Sequence, residues 1–372
     1  IITTHFGYHS IDHNLLKLDI LGHDDPTMIR MLEDVTGVDA KDIPLTDKQV
    51  MSLFSGTQAL NVTPEALGCP LGSLGVPEFG TDFVIQMLQD TKPQTFSDLI
   101  RISGLSHGTN VWLDNAQTLI KEGKATISTA ICTRDDIMTY LIGMGLESEL
   151  SFTIMEKVRK GKGLTPEYEA EMSAHDVPDW YLESCNKISY MFPKAHAAAY
   201  VMMAWRIAWF KIYYPLAYYA AYFSIRATSF DYRLMAMGQD KLKYYMDDFK
   251  RRGEAGELTK AEQDTQKDMK NVWEMYVRGF EFMPMDIYRA KANRFQIVDG
   301  KLMAAINTVG GLGDKVAEQI EEAAKDGPFL SKEDFRNRTK ASKTITDNLV
   351  ELGILEGLPE TNQLSIFDLL AN

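Results

Sequence analysis

The sequence predicts a mainly α-helical fold with minor β, an α+β class, on three observations. Residues 190–223, YMFPKAHAAAYVMMAWRIAWFKIYYPLAYYAAYF, are apolar almost all the way round at helical length, as in a helix buried inside a large domain or a membrane. Helix-start signatures recur: Asp25-Pro26, Thr46-Asp47-Lys48-Gln49, Thr133-Arg134-Asp135-Asp136 and Thr165-Pro166-Glu167. Strand-like alternation is confined to residues 14–21 and 280–303.

The elements follow in order. In NLLKLDIL (14–21), Leu16, Leu18 and Ile20 share one face and Lys17, Asp19 and Leu21 the other, which predicts a strand with a carboxylate in its middle. Asp25 is expected to cap a helix that has Pro26 at its first position and ends near Gly37. The Thr46–Gln49 capping box opens a helix to about Phe54. Residues 56–80, rich in Gly and Pro, read as loop with short pieces. Short helices near 81–90, 96–103 and 111–122 flank a polar loop, Ser103–Thr109. Thr133 caps the next helix, Lys160-Gly161-Lys162-Gly163 forms a basic loop, and Pro166 starts the helix after it. Phe192-Pro193 sets the start of the long apolar helix, and Tyr214-Pro215 ends it, because a residue before proline leaves the α region. His196, Arg206 and Lys211 interrupt this helix, so no uncharged span of about 20 residues exists and a bilayer is excluded. Residues 232–275 read as solvent-facing amphipathic helices with a linker at 251–259. FEFMPMDIY and RFQIVDGKLM are strand-like, 304–357 is a compact helical unit, and PETNQLSIFDLLAN is a tail.

With 372 residues the chain is long enough for two or three domains. Its net charge of −13 argues against nonspecific nucleic-acid binding by the chain as a whole, without excluding local basic sites. Cys69, Cys132 and Cys185 lie far apart without metal-ligand spacing, as expected of buried thiols in a reducing cytoplasm. The opening IITTHFGYHS, without an initiator Met, is expected of a portion of something longer.

Four stretches carry chemistry. Asp19, bracketed by Leu18 and Ile20, is either a surface acid or a carboxylate at a sheet's functional end. Two-metal phosphoryl chemistry needs about three such groups to hold two Mg²⁺ ions roughly 4 Å apart, more than this chain offers. The doublets Asp24-Asp25 and Asp135-Asp136 read as helix caps. Arg134, the run Lys157, Arg159, Lys160 and Lys162, and the pair Lys194 and His196 are candidate phosphate contacts; a solvated charged face explains the 157–162 run as well. Lys194 and His196 open a helix where backbone N–H groups and the dipole favour an anion, and the flanking aromatics Tyr190 and Phe192 offer a ring on which a base can stack. In INTVGGLGDKVAEQI (306–320), a Gly-Leu-Gly turn joins two helices with Leu312, Val316, Ala317 and Ile320 at helical spacing. That is a helix-hairpin-helix pattern, in which Gly311 and Gly313 let backbone N–H groups and Lys315 approach a duplex phosphate; an ordinary αα turn is the alternative. Gln363-Leu364-Ser365-Ile366-Phe367 sets apolar side chains in a polar tail, which suits a partner's pocket unless the tail folds back.

Together LKLDILGHDDPT, VPEFGTDFVIQML, TFSDLIRISGLSHGTNVW, TRDDIMTYLI, VRKGKGLTPE, YMFPKAHAAAYVMMAWRIAWFK, NTVGGLG and NQLSIF resemble, over essentially the whole chain, the carboxy-terminal part of a PolC-type DNA polymerase III alpha subunit. This is the replicative DNA polymerase family of low-GC Gram-positive bacteria. The resemblance implies the end of a palm (1–24), fingers (25–228), a duplex-binding domain (229–357) and a clamp-binding tail (358–372). It implies that Asp19 is the last of three palm carboxylates holding Mg²⁺, the others lying outside this chain. Arg134, Tyr190, Lys194 and His196 would line the incoming dNTP; Lys157, Arg159, Lys160, Lys162, Gly311, Gly313 and Lys315 would meet primer-template DNA. Gln363, Leu364, Ile366 and Phe367 would bind the sliding clamp, and the rest of the polymerase or a complementary subunit would supply the missing palm. Departures are Gly310 where the family's hairpin commonly has proline, Ile366 for Leu, and Asn110 where Asp is expected. A non-catalytic DNA- and clamp-binding scaffold is the alternative function, and a helical hairpin protein of DNA repair a further one.

Overall fold

The computed structural model describes residues 5–11, 13–16, 18 and 22–362. Its helices are α1 (Asp24–Thr36), α2 (Lys48–Ser52), α3 (Pro64–Leu67), α4 (Asp82–Thr91), α5 (Phe96–His107), α6 (Gln117–Lys121), α7 (Arg134–Gly143), α8 (Ser148–Arg159) and α9 (Pro166–Ala174). They continue with α10 (Asp179–Lys187), α11 (Lys194–Tyr213), α12 (Pro215–Ala221), α13 (Tyr232–Met235), α14 (Gln239–Glu254), α15 (Lys260–Val277), α16 (Asp314–Lys325), α17 (Lys332–Thr339) and α18 (Lys343–Glu351). Among the described residues the one sheet is the antiparallel pair β1 (Gln296–Val298) and β2 (Lys301–Met303), joined by Asp299-Gly300 with both φ positive. Two left-handed residues match the twist of a hairpin. The fold is mainly α with minor β.

The apolar stretch forms α11, which packs against α1, α2, α5, α7 and α12. Ala197, Val201, Ala204, Trp205, Ile207, Ala208 and Phe210 are buried along it. Trp205 stacks near Phe54, meets Phe96 edge-on, and donates its indole N–H to the Pro44 carbonyl at 3.0 Å. Several predicted starts hold: Thr133 is the N-cap of α7, its amide donating to the Asp136 carboxylate, and Thr165 caps α9 with Pro166 inside.

Other expectations are corrected. The described residues of 14–21 (Asn14, Leu15, Leu16 and Leu18) form no strand, and Leu16 and Leu18 are 85% and 75% exposed. A period-two pattern makes a strand only where another strand completes its hydrogen bonds, and none among the described residues does so here. His23, not Asp25, caps α1: its Nδ1 accepts from the Asp25 amide at 3.2 Å. The Asp25 carboxylate is instead buried and paired with Arg226 at 2.6 Å. Burial pushes its carboxyl above the usual range, against the pull of Arg226. Asp47 rather than Thr46 caps α2. Ser103–His107, expected as loop, continue α5, and FEFMPMDIY makes only an isolated bridge, Phe282 to Leu302. Ahead of the hairpin, residues 306–308 form a single 3₁₀ turn.

The predicted linker at 251–259 is shorter, since Arg251–Glu254 belong to α14. Nor is α15 simply solvent-facing. It buries Asp268, Met269, Asn271, Val272, Glu274, Met275 and Tyr276. Glu274 pairs with the equally buried Lys211 of α11 at 2.8 Å and accepts from the Tyr219 hydroxyl at 2.6 Å. Lys211 also donates to the Gly72 carbonyl at 2.8 Å, and Arg278 donates to the Tyr219 oxygen and the Lys211 carbonyl. Burial lowers the Lys211 pKa from its usual value while Glu274 opposes that shift. This network crosses residue 228, tying the last turn of α11 to the segment that leads to the hairpin.

Candidate nucleotide and duplex sites

The first site sits where two helix starts meet. At α7 the Asp136 side chain, only 10% exposed, accepts from the amides of Cys132 (3.2 Å) and Thr133 (2.9 Å). At α11 the N-cap is Pro193, whose side chain offers no acceptor. That vacancy is filled from α7: Asp135 Oδ2 accepts from the Lys194 amide at 2.7 Å. The Arg134 amide donates to the Phe192 carbonyl at 3.2 Å, and Lys194 Nζ lies 3.4 Å from Asp136 Oδ1. Residues 134–136 are thereby zipped to 192–194, setting Arg134 beside the mouth of α11. One amide of that mouth is taken by Asp135, so it is less open to an anion than the sequence suggests. Arg101 reaches Asp136 from α5 at 3.6 Å. Burial first, then the Asp136 carboxylate, pushes the Cys132 thiol up to about 12, keeping it neutral.

Tyr190 is 46% exposed and held by its backbone: the Thr109 amide donates to its carbonyl at 2.9 Å. Next to it a row of rings crosses the mouth. His107 stacks on Phe192 (4.7 Å between centroids), Phe192 meets His196 edge-on (5.0 Å), His196 meets Tyr200 (4.7 Å), and Tyr200 meets His23 (4.7 Å). The i to i+4 spacing on α11 puts His196 and Tyr200 on one face. On its other side His107 pairs with Glu78 at 3.3 Å, lining a cavity of about 540 Å³ with Ser106, Tyr222, Arg226 and Lys270.

The basic run is brought alongside. Gly161 has a positive φ of 69°, and a Cβ there would fall 2.8 Å from the Ser189 carbonyl oxygen, so only glycine allows this approach to the Tyr190 segment. Asn110, also at positive φ, donates to the Ser189 hydroxyl at 3.0 Å. Within the run, Arg159 and Lys160 both pair with Glu156. The Arg159 hydrogen bond holds the Glu156 carboxyl down at about 2. Lys157 is half-buried, and Lys162 is exposed on the loop.

The second site is the hairpin. Gly311 has φ 81°, the left-handed region, and the Leu312 amide closes the turn on the Val309 carbonyl at 3.0 Å. Gly313 caps α16 at an ordinary φ of −81°. A Cβ on either glycine would meet nothing within 4 Å, so this face of the turn is open. Leu312, Ala317 and Ile320 are buried beneath it, while Gly313, Asp314 and Lys315 are exposed. Asn348 of α18 donates to the Gly310 carbonyl at 3.0 Å, and Arg233 in turn binds Asn348 (2.8 Å) and Glu351 (2.6 Å).

Asp19 and the tail residues Gln363, Leu364, Ile366 and Phe367 lie outside the described residues. The root of the tail is fixed: the amides of Lys332 and Glu333 donate to the carbonyls of Pro359 and Glu360, and Lys332 pairs with Glu360 at 3.1 Å. The sequence reading missed Arg101, the role of Asp135 and Asp136 beyond capping, and the ring row that joins Phe192 to His107, Tyr200 and His23. Only the helical spacing of His196 and Tyr200 hinted at the last.

This architecture is that of a polymerase fingers region followed by a helix-hairpin-helix: the family model described as "Bacterial DNA polymerase III alpha subunit finger domain" matches residues 25–176, and a helix-hairpin-helix motif model matches 279–364. Relatives narrow the class. The chain is 54% identical over 367 residues to the "DNA polymerase III PolC-type" proteins of Caldanaerobacter subterraneus subsp. tengcongensis and Clostridium perfringens, covering 99% of this chain and 26% and 25% of those proteins. The protein of the same description from Bacillus subtilis is 54% identical over 365 residues, 98% of this chain and 25% of its own length. The chain belongs to the PolC-type DNA polymerase III family and spans about a quarter of the length of the curated relatives it matches. No helix among the described residues is long and apolar enough to cross a membrane.

Proposed function

We propose that this chain supplies the dNTP-binding fingers, the duplex grip and the clamp-binding tail of a bacterial replicative DNA polymerase acting in the cytoplasm, in which residues 1–24 end the palm. The observation that carries the reading is the zipper between 134–136 and 192–194, which gathers Arg134, Lys194 and His196 at one helix mouth beside Tyr190. In this reading Arg134 and Lys194 neutralise triphosphate charge as it shifts in the transition state, and the Tyr190 ring packs on the base. The primer 3′-hydroxyl attacks the dNTP α-phosphate and pyrophosphate leaves. Mg²⁺ supplies the Lewis acid for such chemistry. Among the described residues no three His, Cys, Asp or Glu converge on a metal position, so they do not fit the ion by themselves and no step is assigned to it here. In our reading Asp19 joins carboxylates supplied from outside this chain.

The hairpin backbone at Gly311 and Gly313, with Lys315, grips primer-template phosphates. Lys157, Arg159, Lys160 and Lys162 add a basic edge, which Glu156 partly neutralises. QLSIF docks in the sliding clamp from the root pinned at Lys332. Primer extension by the isolated chain with Mg²⁺ tests the division of labour: no extension is expected without the complementary palm, and robust extension by this chain alone refutes it. A nucleotide-binding titration of Lys194→Ala should show weaker dNTP affinity, and unchanged affinity removes the fingers assignment. Leu364→Ala with Phe367→Ala should abolish clamp pull-down. A non-catalytic DNA- and clamp-binding scaffold is the second reading, and failure of any complementary palm to restore extension would favour it.

A further inference from the structure

We propose that Asp136 and Arg101 are positioning residues that set how readily Lys194 is released to an incoming triphosphate. The inference rests on the reading of Lys194 as a nucleotide contact. Asp136 is a shared carboxylate. Its Oδ2 holds two backbone amides and faces Arg101 at 3.6 Å, while its Oδ1 holds only Lys194 Nζ, at the long distance of 3.4 Å. Lys194 is 41% exposed, Arg101 18% and Asp136 10%. The geometry is lopsided: the lysine can leave toward solvent without uncovering the carboxylate, because Arg101 and the two amides stay behind. A carboxylate buried with a single cation would resist losing it, since an unpaired buried charge is costly. With Arg101 as standing counter-charge, that penalty is small. Lys194's own backbone stays fixed throughout, because its amide is held separately by Asp135 at 2.7 Å. The main chain is anchored and the ammonium is exchangeable.

This arrangement has a consequence of opposite signs. Removing Arg101 leaves Lys194 as the only side-chain cation on Asp136, so the lysine is held back. Removing the Asp136 charge frees the lysine and leaves Arg101 unpaired beside the triphosphate. Single-nucleotide incorporation by the complete polymerase on a primed template reads both. Arg101→Ala should raise the dNTP KM about fivefold with kcat within about twofold, and Arg101→Lys should restore most of it. Asp136→Asn, which keeps an oxygen for the capping amides, should leave KM unchanged or lower. In the Asp136→Asn background, Arg101→Ala should no longer raise KM, a coupling that a double-mutant cycle measures. If Arg101→Ala unfolds the chain, Arg101→Gln carries the same expectation.

Equal rises in KM for Arg101→Ala and Asp136→Asn, or additive effects in the double variant, would overturn the proposal, because a purely structural cluster behaves that way. An unchanged KM in Arg101→Ala would overturn it as well. Lys194→Ala separates this failure from that of the underlying reading. Where Lys194→Ala raises KM and the other two are inert, only the latch falls; where Lys194→Ala is itself inert, the nucleotide assignment falls with it.

Discussion

The two ends of α11 put the same residue type to opposite uses. At the first turn Lys194 is 41% exposed, 3.4 Å from a carboxylate that has other donors. Near the last turn Lys211 is fully buried, bonded to Glu274 at 2.8 Å and to the carbonyl of Gly72 at 2.8 Å, with Tyr219 completing the acid's shell. The first lysine can change partners at little cost; the second cannot, because both it and Glu274 are fully buried and parting them would strand an unpaired charge away from solvent. In our proposal the exchangeable cation is the one that meets a ligand, while the locked one belongs to the frame. The contrast shows why charge in a sequence says so little about role: solvent access and the partner's other bonds decide it.

The largest effect should come from the locked end. Glu274→Ala strands the Lys211 charge and should cost about 3–5 kcal/mol in urea unfolding, whereas replacing both partners with apolar residues of similar volume should recover much of that. A loss below about 1 kcal/mol would dissolve the contrast between the two lysines.

Next comes pH, through another buried acid of α15. Asp268 accepts from the Ser229 amide at 2.8 Å, yet burial raises its carboxyl to about 6 from 3.8. The folded state then holds that proton when the unfolded chain has lost it. Its contribution to stability therefore falls as pH rises from about 4 to about 6, by up to about 3 kcal/mol. Asp268→Asn should flatten this slope in unfolding curves taken across that window. Glu156, held down at about 2, works in the other direction. Its pairing favours the folded state above about pH 4.5, and that favour is lost as pH falls toward 2.

Smaller effects sharpen the exchangeable side. Lys194→Met should change stability by less than about 1 kcal/mol, as for other part-exposed pairs, and a larger loss would make Lys194 as structural as Lys211. At the hairpin, Gly311→Ala should cost about 1 kcal/mol because its φ is positive. Gly313→Val, at an ordinary φ and facing open space, loses only the N-cap preference for glycine and should cost about 1 kcal/mol. It should still weaken duplex binding, with dNTP affinity nearly intact; equal loss of both would argue against separate nucleotide and duplex surfaces.

Much of this molecule is legible in its local chemistry. The end of α1 at Gly37, the starts of α7 and α9, both ends of α11 and the Gly311 turn follow from proline, glycine and capping residues, because those effects act within a turn of chain. The described residues of 14–21 form no strand for the converse reason: alternation is local, but strand pairing is not. Ser103–His107 look like loop by composition, yet continue α5, where packing overrides a weak propensity.

Sequence alone determined the helical class, the apolar nature of α11, the hairpin glycines and the identity of the charged groups at the helix mouth, since each is set by covalent geometry or by short-range periodicity. Tertiary structure alone decided that Asp135 caps a helix 59 residues away in the chain, that Asp136 is shared by Lys194 and Arg101, and that Lys211 is buried on Glu274. Those outcomes depend on which surfaces exclude water and which distant donors arrive first, and no local stretch of chain encodes that.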